Sequence, residues 1–372
     1  MQDKELNGVL AEEEFGTGCL PQKEDKRDEV YSAVAPFDWA LGFDIELLLG
    51  YRAQCTSEAQ FYGVAGRDGW GVTRYREIVK ECKDKAIQPF KIPIKNQGAS
   101  SSCTGQALGY YLSVLNMIET GKWVEISARD IYAYIAVAGG GAYLRDALKL
   151  ACDRGIATEE LVPCYHRQTV NNREFVDPYS ETEYLVKPTE TEEIKAIRKA
   201  LQSKSFKTVT DVVGMDQMAW AMLMNFGVYF AVDGENNGTW TSEYPQPPTK
   251  RVWGHALFGG SAKLDKSGSP DIGFPNSWGT VGIDGWQKLK QNYYTAGAVN
   301  SPWTLTDKNN NMGNANVKII KDENSPAVGI WLPALSQQAL ESLCLNFGVP
   351  IPKKADGSID WENWIEGELR LK

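Results

Sequence analysis

A thiol, an imidazole and a carboxamide, each inside a short distinctive motif, are the groups in this sequence best suited to nucleophilic chemistry. The thiol is Cys103, within IKNQGASSSCTGQALG at 94–109. Before it come Gly, Ser and Asn, residues that suit a tight loop. After it Leu108, Tyr111, Leu112, Leu115 and Ile118 recur at the spacing of one helical face, and Gly121 supplies a stop. The spacing predicts Cys103 at the first turn of a buried helix, where unpaired N–H groups and the helix dipole favour negative charge. Thiolate is the nucleophilic form of cysteine. Gln97 lies six residues upstream across a glycine-containing loop, which could return its amide toward the sulfur as an oxyanion donor. A lone cysteine on such a helix is ordinarily a small core residue. Its company along the chain changes that reading.

There are two histidines. His166, in PCYHRQTV, sits in a polar stretch and reads as a solvated surface residue. His255, in RVWGHALFGG, opens an apolar strand. Asn276, in PNSWGT, follows 21 positions later. Thiol, imidazole and orienting amide are the parts of a Cys–His–Asn triad: the imidazole takes the thiol proton, and the amide fixes the ring's tautomer and direction. Trp278 is placed to cover that last hydrogen bond. A cysteine on a helix with histidine and asparagine on strands puts the three at a boundary between two lobes.

The elements that must hold these groups follow in order. Residues 1–29 read as an acidic arm, mobile or laid on the surface. Residues 30–86 read as an N-terminal extension: a cap, a pro-segment or a wrapping arm. The main domain is expected over 87–298. It starts with the Cys103 helix, then SARDIYAYIAVA with Ser127 and Asp130 in a near capping box, then LRDALKLACDRG with Leu144, Leu148 and Ala151 on one face. Residues 165–190 read as a crossing loop. TETEEIKAIRKALQSK and MDQMAWAMLMNFG are two more helices, the second ending at Gly227, and VYFAVD, HALFGGSAKLD, IGFPNSWGT and GWQKLK are strand-like runs. Helices first and strands second indicate an α+β protein of two lobes. Residues 299–372 form a C-terminal extension, with SPWTLTDKNNNMGN as a linker and two short helices beyond.

The chain has 372 residues, is 42% hydrophobic and carries a net charge of −9, so it can build a sizeable core. The acidic balance argues against a nucleic-acid or anionic-membrane surface. No apolar run is long enough to span a bilayer, and MQDKELNGVLAEEEFG lacks the features of a signal peptide. Seven cysteines without CxxC spacing argue against a zinc site or disulfide framework and fit a reducing compartment. The expected location is cytoplasmic or virion-associated.

Four separated motifs, in order, give the chain a resemblance to the papain-like (C1-type) cysteine peptidases over roughly residues 87–295. NQGASSSC resembles that family's nucleophile loop, with Gln97 in the place of its oxyanion glutamine. GHAL resembles the segment bearing its histidine and NSWGT its Asn–Ser–Trp–Gly. Gly140 and Gly141 match the glycine pair that lets a substrate backbone lie extended. The resemblance implies a papain-like two-lobe fold, with a helical left lobe, an antiparallel β-barrel-like right lobe, and extensions at both ends. It implies acyl transfer by Cys103, His255, Asn276 and Gln97 on a polypeptide substrate, without metal or cofactor. Gly140, Gly141, Ala142, Tyr143, Trp253 and Trp278 are the expected substrate-binding residues. Departures from the pattern fall at Ser100, where the family has a disulfide cysteine, at Ser101, where it has glycine, at Thr104, where it has an aromatic, and at Gly254 before the histidine. Two other functions compete with the endopeptidase: a catalytically vestigial papain-fold component of a larger assembly, docking a protein partner through the acidic arm or C-terminal extension, and a thiol amidase or acyl transferase on cell-wall or isopeptide bonds.

Overall fold

The computed structural model describes residues 17–22, 25, 28–31, 35–170, 173–203, 205–209, 215–306, 318–321 and 328–331. The helices are α1 (Ile45–Gln54), α2 (Glu58–Tyr62), α3 (Val72–Asp84), α4 (Cys103–Thr120), α5 (Ala128–Ile135), α6 (Leu144–Asp153), α7 (Glu181–Tyr184), α8 (Glu192–Ala200), α9 (Asp216–Asn225) and α10 (Gln291–Thr295). The strands are β1 (Val30–Tyr31), β2 (Phe43–Asp44), β3 (Tyr165–Val170), β4 (Arg173–Pro178), β5 (Ser205–Val209), β6 (Val228–Gly234), β7 (Trp253–Gly259), β8 (Ser261–Leu264), β9 (Pro270–Pro275), β10 (Trp286–Lys290), β11 (Val299–Thr306), β12 (Lys318–Lys321) and β13 (Val328–Trp331). Two compact units emerge, one of residues 1–61 with 71–308 and one of 62–70 with 309–372. In the second, the described strands β12 and β13 pair antiparallel. Most of the C-terminal extension, with its expected helices and docking role, lies outside the described residues, as does the arm before residue 17. Among the described residues no helix is long and apolar enough to cross a membrane.

Helix α4 is the core of the first unit. It is enclosed on every face: every residue from Cys103 to Ile118 is buried, the polar Thr104, Gln106, Ser113 and Asn116 among them. Gly121, at φ 73°, ends it in the left-handed conformation the sequence reading required. Gly105 allows α5 to approach: a Cβ there would lie 2.5 Å from the Ala128 carbonyl oxygen. Ser127 caps α5 by accepting the Asp130 N–H. Asp130 does not complete the box. Its carboxylate accepts from Ala157 N–H at 2.7 Å and from the Arg198 guanidinium, locking α5 to α8. Helix α6 buries Leu144, Ala147, Leu148 and Ala151.

The strands form a five-stranded sheet, β1-β5-β11-β6-β7, and a four-stranded sheet, β10-β9-β8-β2. All pairs in them are antiparallel except β1 with β5. The chain passes from one sheet to the other at Gly260, whose N–H donates to Gly273 O at 2.9 Å. The fold is α+β, with open sheets and no closed barrel among the described residues. Both sheets draw on sequence outside 87–298: β1 and β2 precede that span, and β11 runs between β5 and β6. Ser301–Thr306, read as part of a linker, therefore belong to a strand. Tyr165–Val170 and Arg173–Pro178 pair antiparallel as β3 and β4, where a crossing loop was expected. Helix α9 is capped by Phe226, which adopts φ 64°, rather than running to Gly227. Gly227 is required for a different reason: a Cβ there would stand 2.3 Å from the Phe258 ring.

Candidate active site

Cys103 is the first residue of α4 and has no exposed surface. The backbone N–H groups of Ala256, Gly18, Thr104 and Cys103 itself lie within hydrogen-bond reach of its sulfur and favour thiolate, but burial outweighs them and pushes the thiol up to about 11. Ala256 follows His255 on β7, against which α4 packs, so the sulfur sits beside the strand that bears the imidazole.

The orientation of His255 follows from a relay of amides. Gln287 donates from Nε2 to two backbone carbonyls, Trp240 O and Ser242 O, both at 2.7 Å. Carbonyls accept only, so Gln287 Oε1 must face the other way, where it accepts from Asn276 Nδ2 at 2.5 Å. Asn276 Oδ1 is then turned to His255 Nε2 at 2.9 Å. An amide oxygen accepts, so Nε2 carries the ring proton and Nδ1 keeps its lone pair. Nδ1 has no hydrogen-bond partner. The Trp278 ring stacks on the imidazole at 4.2 Å and 25°, and Trp240 meets it edge-on at 6.0 Å. Burial pulls His255 down to about 4, against the hydrogen bond it donates to Asn276 Oδ1, which favours the charged ring. In this closed arrangement thiol and imidazole are both neutral.

Gln97 is buried between the two motifs. Its Oε1 accepts from Ser277 Oγ at 2.6 Å and its backbone N–H donates to Ser277 O at 2.8 Å. Its Nε2 donates to Ser100 O at 2.7 Å. That nitrogen was expected to face the sulfur; here it braces the nucleophile loop. Ser100, in the place of a disulfide cysteine, donates from Oγ to Gln97 O at 2.7 Å. None of the six cysteines among the described residues is in a disulfide.

The cleft holds a segment of the chain itself. Ala142 N–H donates to Gly18 O at 2.7 Å and Leu20 N–H to Ala142 O at 3.0 Å, a parallel bridge, while Cys19 N–H donates to Gly254 O at 3.0 Å on the opposite wall. Residues 17–22 are thus a strap across Cys103, not a surface-laid arm, and Cys19 is 4% exposed. Gly140, Gly141 and Ala142 form one wall around this segment. Trp253 stands on the other wall, its Nε1–H donating to Asn236 Oδ1 at 2.8 Å and its ring 5.1 Å from Trp240. Tyr143 takes the N-cap position of α6. His166 is on the surface, 2.7 Å from Glu183 Oε1.

Sequence reasoning missed Gln287, Trp240, Glu181 and the strap. Gln287 alone carried a signal: in WQKLK it shares the inward-facing register of Leu289, where a polar side chain must have buried partners.

The structure is similar to that of xylellain, a cysteine protease from Xylella fastidiosa, with a TM-score of 0.53 and 17% identity over 79% of this chain and 97% of that one. It is also similar to proCathepsin B S9 from Trypanosoma congolense, with a TM-score of 0.50 and 14% identity over 79% of this chain and 87% of that one. No family model and no curated protein sequence matches. The chain therefore has the papain-like cysteine protease fold.

Proposed function

We propose that this protein is a cysteine endopeptidase that cleaves polypeptides through an acyl-enzyme, with its own residues 17–22 closing the cleft. The observation that carries the reading is the His255 tautomer. The amide relay leaves Nδ1 unprotonated beside the strand position that touches the Cys103 sulfur. When the strap gives way to substrate, Nδ1 takes the thiol proton and the sulfur adds to the peptide carbonyl. The Cys103 N–H and the Gln97 amide, once released from Ser100, are the donors for the oxyanion. The carbon–nitrogen bond then breaks as His255 returns its proton to the leaving amine, and water, deprotonated by His255, releases the acyl group. Asn276 holds the ring throughout, and Trp278 keeps water from the bond between them.

The test is hydrolysis of a casein-type substrate and of peptidoglycan by the full chain and by Cys103→Ser. Casein should yield peptide products, with a loss of roughly 10⁴-fold or more in Cys103→Ser. Release from peptidoglycan alone would make the chain a cell-wall amidase instead. Product formation unaffected by the substitution would remove Cys103 from the chemistry.

A further inference from the structure

The strap shows what the cleft accepts. A Cβ on Gly18 would stand 2.2 Å from Ser101 O and 2.7 Å from Ser101 Cβ. On the facing wall, a Cβ on Gly141 would stand 2.5 Å from Gly18 O. Gly18 is not among the residues with positive φ, so its own backbone does not call for glycine. The demand comes from the walls. They are held by one carboxylate: Glu181 Oε2 accepts the Ser101 N–H at 2.6 Å and Oε1 accepts the Tyr132 hydroxyl at 2.7 Å. Tyr132, fully buried, accepts in turn the Gly141 N–H at 2.8 Å. Ser101 on one side and Gly141 on the other are thereby tied through two side chains, Glu181 and Tyr132.

We propose that the slot between Ser101 and Gly141 admits glycine and no larger residue against Cys103, so that the substrates are peptides with glycine at that position, and that Glu181 sets the slot's width. The proposal rests on the peptidase reading for its substrate and on the strap for its steric argument. Glu181 is a positioning residue: it acts through the Ser101 peptide and through Tyr132.

The first experiment probes the slot without turnover. Full chains with and without Gly18→Ala are treated with iodoacetamide, and alkylation of Cys19, Cys103 and Cys164 is followed by mass spectrometry. A methyl that does not fit should displace the strap and raise alkylation of Cys19 and Cys103 by about tenfold or more, with the buried Cys164 unchanged as a control for unfolding. Alkylation equal to that of the unaltered chain overturns the slot. The second uses the Gly18→Ala chain on a peptide series in which a single glycine is replaced by alanine at each position in turn. One position should lose about a hundredfold in kcat/KM, and adding Glu181→Gln should shrink that ratio to below about tenfold. Equal turnover of glycine and alanine peptides at every position overturns the proposal, and an unchanged ratio in Glu181→Gln removes that residue from it. If the strap is displaced as expected but no peptide is cleaved, the peptidase reading fails and the slot stands.

Discussion

Cys103 and His255 are equally inaccessible, yet the chain holds them by different means. Cys103 starts a helix whose next fifteen residues are buried, and the helix is fixed by apolar packing and by close backbone approach at Gly105. His255 is on a strand, and its ring is aimed by a relay of amides that ends on two backbone carbonyls. Packing gives position without direction: it sets where the sulfur is, and a thiol needs little more. Hydrogen bonds give direction, which an imidazole with two distinct nitrogens requires. Damage to the first region should therefore appear as lost stability, and damage to the second as lost activity.

Leu108→Ala is the strongest way to break that contrast. Leu108 has no exposed surface, and truncation should cost about 2–5 kcal/mol, read as a lower urea midpoint, with little change in kcat per folded molecule. Gln287→Leu should do the reverse. It frees Asn276 to turn and lets the imidazole lose its orientation, lowering kcat by on the order of 10²-fold, while the urea midpoint moves less than for Leu108→Ala. A kcat unchanged in Gln287→Leu would show that the relay does not aim the ring.

The pH dependence of stability should be smaller and should report on both groups. His255 is lowered from 6.5 to about 4, so its contribution holds above 6.5 and is lost as pH falls through 4. Cys103 is raised from 9.0 to about 11, so its contribution holds below 9.0 and is lost as pH rises through 11. Urea midpoints should form a plateau between 6.5 and 9.0, and the acid-side loss should be reduced in His255→Gln. A curve still rising through 9.0 would contradict the burial of Cys103.

What the sequence revealed follows the same division. Helix α4 was legible because its apolar period and its terminal Gly121 are local signals. Cys103, His255, Asn276 and Trp278 were legible because each sits in a short distinctive motif. The pairing of β3 with β4 was not, because these strands lack an apolar alternation: Val176 is 48% exposed. Strand β11 was disguised by Pro302 and by the irregular pairing between Asn300 and Trp303. The strap left no trace, since it is held through its backbone N–H and C=O groups and any sequence supplies those. Only Gly18 betrays it, and a lone glycine in a polar arm carries no message until the walls around it are known.

The central claim is that one thiol, activated by one imidazole, is the nucleophile. An epoxysuccinyl peptide, which alkylates activated thiols, should be reacted with the full chain in its Gly18→Ala form and with the same chain carrying His255→Ala, and the adducts mapped by mass spectrometry. A single adduct on Cys103 that disappears with His255 is the expected result. Adducts spread over the cysteines, or an adduct on Cys103 that survives the loss of His255, would contradict it.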